Sequence, residues 1–400
     1  MVVFSGLLTG LVASTIPSFY SSDFLTYINT GWQQAKYHAN PYCLLLAGTA
    51  GIDKDPMFTP VWTLSPSVYG FAFAHLERIA CQIGGGDLPR TIFVFKGLTF
   101  LGWLAVGAAV YYGAKRFKVS RPDLSFYLYL FNPLLMLHTL SGAHNDIFMV
   151  LPVMAAFLCV MTNARFLTIP LLVLGASIKY VWLIALPFLL LLLQKNFGWK
   201  AVVVNALAGI GTFISLGWYY QCDWHQVRWQ EMFYNLALQA NSLSATVENL
   251  LRCLPLRFFS GQPEQRTAAI STIVSGVKVC SAAGFFALCG RLLYTVCKKG
   301  ETTLQDTVEK SLLLVVVLVC FVSGKFYPWY VVMFFPLCLW LPEGSLLRKI
   351  GITLSLTQLF AVTFIGHGHA NNFLLLTAAP VFVLLWKAGR SKLPRFSAPH

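Results

Sequence analysis

Runs of about twenty apolar residues, separated by short polar stretches that hold most of the charge, recur along the chain from Val2 to Trp386. A run of that length is what a helix needs to cross the hydrocarbon core of a bilayer, where a helix satisfies its own backbone hydrogen bonds. The pattern predicts spans near 2–19, 91–113, 124–141, 146–162, 166–178, 180–193, 201–220, 267–297, 308–324, 327–342, 349–366 and 372–386. The runs 166–178 and 180–193 are each short for a crossing, so they are expected as a bent hairpin covered by neighbours. The expected fold is one all-α polytopic membrane domain over residues 1–400, a bundle of about twelve transmembrane helices.

Charge then orients this threading. Lys115-Arg116-Phe117-Lys118 with Arg121, Lys195 to Lys200, Lys298-Lys299, Arg348-Lys349 and Lys387 to Arg395 all fall on one side, which the inside-positive bias makes cytoplasmic, together with both termini. Two long polar segments, 20–90 and 221–266, fall outside. In the first, Phe24 to Tyr37 and Pro60 to Ile79 mix aromatic and polar residues at helical spacing, as helices lying along the membrane interface do. Gly84-Gly85-Gly86-Asp87-Leu88-Pro89 marks the break before the next span. The run Val2 to Phe19 has no basic residue ahead of it and reads as a retained first span rather than a secretory leader.

Composition excludes the main alternatives. The 400 residues are 57% hydrophobic and 11% charged, with a mean hydropathy of +0.66, outside the range of soluble domains. A net charge of +14 is, in such a chain, the signature of cytoplasmic loops rather than of nucleic-acid binding. Ten cysteines show no C-x-x-C pair. Cys43, Cys81, Cys222 and Cys253 lie in polar connections and are expected as free thiols, although an oxidising compartment would permit disulfides.

The distribution of polar groups points to a site. Of fifteen Asp and Glu, the ten that map outside include Asp23, Asp55 and Asp146. His144, Lys179, Lys325, His367 and His369 also sit at outer span ends. A transporter or flippase of a lipid-linked or anionic substrate is the competing class, but it more often carries ionisable residues near the midplane. Asp23, in Ser21-Ser22-Asp23-Phe24, suits a helix cap and equally a general base held in a low-dielectric setting. Ser141-Gly142-Ala143-His144-Asn145-Asp146 is a polar turn whose side chains can cap the next helix or hold a hydroxyl-rich ligand. Lys179 and Lys325 are either snorkelling lysines or cations for a lipid phosphate. Arg228, Arg252, Arg257 and Arg266 are weaker phosphate candidates. Trp329 and Tyr330 suit the aromatic belt or a sugar face. His367-Gly368-His369 is either loop polarity or the seed of a divalent metal site; otherwise no cofactor is indicated.

The order of these motifs resembles a family. Asp23, Tyr27, Gly31, Asn40-Pro41-Tyr42, Asp55-Pro56 and Pro66-Ser67-Val68-Tyr69-Gly70 are similar to the first external segment of bacterial polyprenyl-phosphate-mannose-dependent α-mannosyltransferases, of the C-type glycosyltransferase superfamily. Phe131-Asn132-Pro133, Gly142-Ala143-His144-Asn145-Asp146, Lys179-Tyr180 and Pro328-Trp329-Tyr330 follow in the order of that family's later signatures. The resemblance covers roughly 20–340, and the stretch at Pro66 departs from the Pro-Tyr-Gly-Pro usual there. It implies transfer of a sugar, mannose in the family, from a polyprenyl-phosphate donor to a glycan or glycolipid hydroxyl on the outer face of a bacterial plasma membrane, with inversion. Asp23 would be the base and Lys179 or Lys325 would hold the phosphate. Tyr27, Asp55, His144, Asn145, Asp146, Trp329 and Tyr330 would hold the sugar or acceptor.

Overall fold

The computed structural model describes residues 2–18, 21–221, 224–232, 239–255, 262–298, 300–361 and 372–390. Their regular structure is helical, joined by turns and irregular chain, with one isolated parallel bridge between Ala240 and Lys325. In chain order the first helices are α1 (Val2–Thr15), α2 (Asp23–Tyr37), α3 (Phe71–Gly84), α4 (Leu88–Arg116), α5 (Pro122–Leu130), α6 (Asp146–Cys159), α7 (Thr168–Ala176) and α8 (Leu186–Gly217). Three helices in the described part are long and apolar enough to cross a membrane: Leu88–Arg116, Tyr180–Tyr220 and Pro263–Lys298. A fourth is added if the π turn Leu135–Ser141 and α6, bent by 106° at a short break, count as one broken span.

The breaks are written in the residues. At the end of α3, Gly85 (φ 66°) donates its N–H to Cys81 and Gln82, Gly86 also takes positive φ, and Asp87 then accepts from the Arg90 N–H to open α4. Within α8, Gly198 (φ 77°, ψ 176°) interrupts the helix, so two helices meet there amid the Lys195 to Lys200 charges, where a cytoplasmic turn is expected.

Three expectations are corrected. The helix foreseen over 60–79 begins only at Phe71, and residues 58–70 are turns and extended chain. Pro60 and Pro66 restrict the backbone before them, and Asn29 of α2 takes over the hydrogen bonding: its amide donates to the Thr59 and Val61 carbonyls, while its oxygen accepts from Thr59. Cys43, expected as a free thiol, is disulfide-bonded; Cys81 and Cys253 are free, and Cys222 lies outside the described residues. The stretch 327–342 is a 3-10 turn (Pro328–Met333) followed by one short helix, α9 (Phe335–Cys338), and Val331 to Leu341 are buried. Irregular backbone at membrane depth is tolerated when protein covers it.

α2 lies on α3 at very short range, because Gly31 has no Cβ: one placed there would stand 2.3 Å from the Glu77 carbonyl oxygen. That contact holds α2 against α3, and with it Tyr27, which is buried in the main core. Gly31→Ala is therefore expected to destabilise the protein by about 2 kcal/mol, through forced separation of the two helices. Thermal unfolding in detergent should show a lowered midpoint, whereas Gly211→Ala, where an added Cβ meets nothing within 4 Å, should not.

Candidate functional site

The site assembles where four stretches remote in sequence meet. The end of α1 is fastened to the π turn: Ser141 Oγ donates to the Pro17 carbonyl at 3.1 Å, and Lys96 of α4 donates to the carbonyls of Ile16 and Ser141. This brings the start of α2, with Asp23, over the turn 142–145. In that turn Gly142 is required, since a Cβ would stand 2.6 Å from the His138 carbonyl oxygen, and Ala143 takes a positive φ of 50° that folds His144 back. The third stretch, Ser177 to Tyr180, is held by the start of α3: Gly70 and Ala72 donate their N–H groups to the Ile178 and Ser177 carbonyls, with room only for glycine at position 70. The fourth, Ser323 to Tyr330, is paired with Ala240, which donates to Gly324 and accepts from Phe326, each at 2.9 Å.

Asp23 is the first residue of α2 and not its cap. Ser22 occupies the cap position without a side-chain bond, and the Asp23 N–H donates to Ser21 Oγ at 3.1 Å. The carboxylate is left for other work: Oδ2 lies 3.9 Å from His144 Nδ1. Burial pushes its pKa above the ordinary carboxylate value, and the positive charge of Lys179 partly opposes this. Likewise neither Asn145 nor Asp146 caps α6 through its side chain. Asp146 Oδ1 is bonded to Lys179 Nζ at 2.6 Å in a buried ion pair. The same ammonium lies 5.1 Å from the Tyr330 ring centre and 5.8 Å from that of Tyr69.

Aromatic rings wall the cluster. His144 stacks on Trp329 (4.1 Å, 13°), Trp329 on Tyr327 (4.6 Å, 7°), and the Tyr69 hydroxyl donates to that of Tyr27 at 3.4 Å. Several polar atoms inside are buried without a hydrogen-bond partner: both His144 nitrogens, both polar atoms of the Asn145 amide, and Asp146 Oδ2. Buried polar groups are nearly always paired, so such a concentration describes a cradle for a polar ligand.

Of the residues singled out from sequence, Asp23, Tyr27, His144, Asn145, Asp146, Lys179, Lys325, Trp329 and Tyr330 come together here. Asp55 does not. It sits beyond the other end of α2, bonded to Lys36 (2.5 Å) and Tyr37 (2.8 Å) and accepting from the Met57 N–H. Burial alone would raise its carboxyl, but these partners hold it at about 2. Arg228 and Arg252 pair with Glu231 and Glu248, Arg266 donates to the Arg252 carbonyl, and Arg257, His367 and His369 lie outside the described residues. Among the described residues no group of three or more His, Cys, Asp or Glu converges on a metal position. Sequence reasoning missed Tyr69, Tyr327 and His138. Tyr69 lies inside a motif already recognised and Tyr327 stands directly before Pro328-Trp329-Tyr330, whereas His138, in an apolar run, carries no local signal.

Beside the cluster lies an apolar cavity of about 830 Å³ between α7, α8 and the polar segments near Gly70 and Trp229, lined by Ile169, Val173, Leu186, Ile210 and Phe213 among others. Ser177 and Tyr180 line it on either side of Lys179, and Gly70 closes the same corner.

Residues 12–195 match the N-terminal domain of the Alpha-(1->6)-mannopyranosyltransferase family. The chain is similar to Alpha-(1->6)-mannopyranosyltransferase A of Mycobacterium tuberculosis, 24% identical over 232 residues, 51% of this chain and 42% of the relative. It is also similar to Alpha-(1->6)-mannopyranosyltransferase B of Corynebacterium glutamicum (34% over 86 residues, 22% and 14%) and to Alpha-(1->6)-mannopyranosyltransferase A of that organism (24% over 156 residues, 37% and 31%). The match thus spans less than half the length of each of these curated relatives. No solved structure matches the chain. The family resemblance seen in the motifs is borne out, and the matched region holds Asp23, His144, Asn145, Asp146 and Lys179.

The Lys179–Asp146 pair gives a direct test of how the site is held. Removing one member of a buried pair strands the other charge, at a cost of about 3–5 kcal/mol. Lys179→Met is expected to lower the thermal midpoint sharply, and adding Asp146→Asn should restore most of the loss in the same melt.

Proposed function

We propose, from the resemblance over residues 12–195, that this chain is a membrane mannosyltransferase that moves mannose from a polyprenyl-phosphate donor to a hydroxyl of a glycan or glycolipid acceptor. The observation that carries the reading is adjacency: a cluster holding one available carboxylate, two lysines and unpaired buried amide and carboxylate atoms abuts an apolar cavity of about 830 Å³. A lipid-linked sugar has this division. Its polar head is suited to the cluster and its tail to the cavity, whose volume fits the proximal part of a long chain.

In this reading Asp23 accepts the proton of the acceptor hydroxyl as its oxygen attacks the anomeric carbon. The carbon–oxygen bond to phosphate breaks, polyprenyl phosphate leaves with the electron pair from the opposite face, and configuration inverts. Lys325 and Lys179 stabilise the phosphate as it gains charge. Asn145, Asp146, Tyr27 and Tyr330 hold sugar hydroxyls, with Trp329 as the adjoining wall. The relatives' names specify an alpha linkage, and an inverting step yields that product only from a β-linked donor phosphate.

The helices cross the membrane about twelve times with both termini inside, in a C-type glycosyltransferase-like bundle, and the cluster faces outward from a bacterial plasma membrane. Three features support this orientation: the inner charges at the Gly198 break, the Cys43 disulfide, which suits an oxidising side, and the bacterial relatives.

Asp23→Asn is expected to lower transfer from polyprenyl-phosphate mannose by about 10²–10⁴-fold while donor binding is retained. Wild-type rates in that variant would overturn the base assignment. Ala206→Phe, which fills part of the cavity, is expected to raise KM for a long-chain donor in steady-state assays and leave a short, water-soluble polyprenyl donor unaffected.

A further inference from the structure

His144 stands between the Trp329 ring and the Asp23 carboxylate. Its ring is buried, lies parallel to Trp329 at 4.1 Å, and presents Nδ1 to Asp23 Oδ2 at 3.9 Å, while neither nitrogen has a hydrogen-bond partner. The Gly142–Ala143 fold and the Trp329 stack set the plane of the imidazole, so Nδ1 faces the carboxylate edge and not open space. We infer that His144 is a positioning residue: it donates from Nδ1 to Asp23 once the site closes on its substrates, and so fixes the carboxylate oxygen that takes the acceptor proton. This inference rests on the transferase reading above and replaces the sugar-binding role for His144.

The distance of 3.9 Å is beyond a hydrogen bond, and a small rotation of the Asp23 side chain brings it into range; catalytic hydrogen bonds are often long before substrate binds. A donor at this point does two things. It selects one carboxylate orientation, and it favours the ionised form of a group that burial otherwise drives toward protonation. The charges that also face Asp23 are Lys179, Asp146 and Lys325, and His138 lies beside His144 (ring centres 6.1 Å apart). The phenols of Tyr27, Tyr69, Tyr327 and Tyr330 surround the same space, and phenols ordinarily titrate near 10, far from an acid limb governed by a carboxylate. The phenols therefore stay off the acid limb, where Asp23 titrates with Asp146, His138 and His144 as its ionisable neighbours.

The experiment is the pH profile of transfer from polyprenyl-phosphate mannose by the full chain in detergent, for wild type, His144→Ala, His144→Asn and Trp329→Phe. Without a donor the Asp23 pKa rises, so the acid limb of kcat/KM in His144→Ala should move up by about one pH unit, with kcat reduced about tenfold or more and donor KM little changed. His144→Asn, which keeps an N–H near Nδ1, and Trp329→Phe, which keeps a stacking ring, should both return the limb toward wild type. A rise in donor KM with the limb unmoved would overturn the positioning role in favour of a sugar ligand. Equal loss in His144→Ala and His144→Asn, with no shift, would overturn it as well. Either failure leaves the base assignment standing, because that rests on Asp23→Asn. Thermal midpoints identify a variant that fails to fold, in which case Trp329→Phe against Trp329→Ala decides by the same shift.

Discussion

The ion pair between Lys179 and Asp146 is the interaction on which this end of the bundle depends. Lys179 stands in the turn after α7, and Asp146 is the first residue of α6, so their 2.6 Å contact joins the two ends of an apolar helix pair. A charge at such depth is tolerated only when it is paired, and each member here supplies the other's compensation. Everything polar nearby is arranged around that pair. Tyr69 and Tyr330 present rings to the ammonium, Asp23 lies within its field, and the 106° bend that delivers Asp146 also delivers His144 and Asn145. A single buried charge pair thus converts what would be a helix connection into a polar chamber.

The legibility of this chamber in the sequence was uneven, for identifiable reasons. Features fixed by local chemistry could be read: the Gly84 to Pro89 break, the α2 helix after Asp23, and the polar turn at 141–146 all depend on residues within a few positions of one another. The helix expected over 60–79 could not, because its first half is organised by Asn29, about thirty residues earlier, whose amide replaces the hydrogen bonds a helix would have made. Asp55 was misplaced for a similar reason. As a carboxylate beside a proline in a polar segment it looks available, but Lys36 and Tyr37, brought round by α2, hold its charge and its Oδ2, and the Met57 N–H takes Oδ1. Periodicity also exaggerates regularity. The run 327–342 is apolar enough for a helix, yet Pro328 and Pro336 break it, and it survives as buried irregular chain because neighbouring helices cover it.

Helix capping shows how a structural reading and a chemical one separate. Ser22-Asp23 and Asn145-Asp146 are both sequences that ordinarily open a helix by bonding the first free N–H groups. In both places the helix begins without such a bond. The residues best able to satisfy the helix ends therefore spend their polar atoms elsewhere: Asp23 toward His144, Asp146 on Lys179, and the Asn145 amide on no protein group at all. A fold shaped by stability alone would have capped these helices. Leaving them uncapped costs about 1 kcal/mol each, and the loss is intelligible if the same side chains serve a ligand.

The site's position relative to lipid follows from the same economy of contacts. The turn Ser177 to Tyr180 faces two environments, with Lys179 directed at the polar cluster and its neighbours Ser177 and Tyr180 at the apolar cavity. Gly70 forces this geometry, since only a residue without Cβ lets the chain before α3 lie against the Ser177 carbonyl. A molecule with a charged head and a long apolar tail meets both environments at one turn, and it can do so without drawing its tail through water or its charge into hydrocarbon. A soluble enzyme would need to extract that tail from the bilayer. Here the cavity lies among the helices themselves, so in the proposed reading the head of a lipid-linked donor meets the carboxylate while its chain remains in a solvent of its own kind.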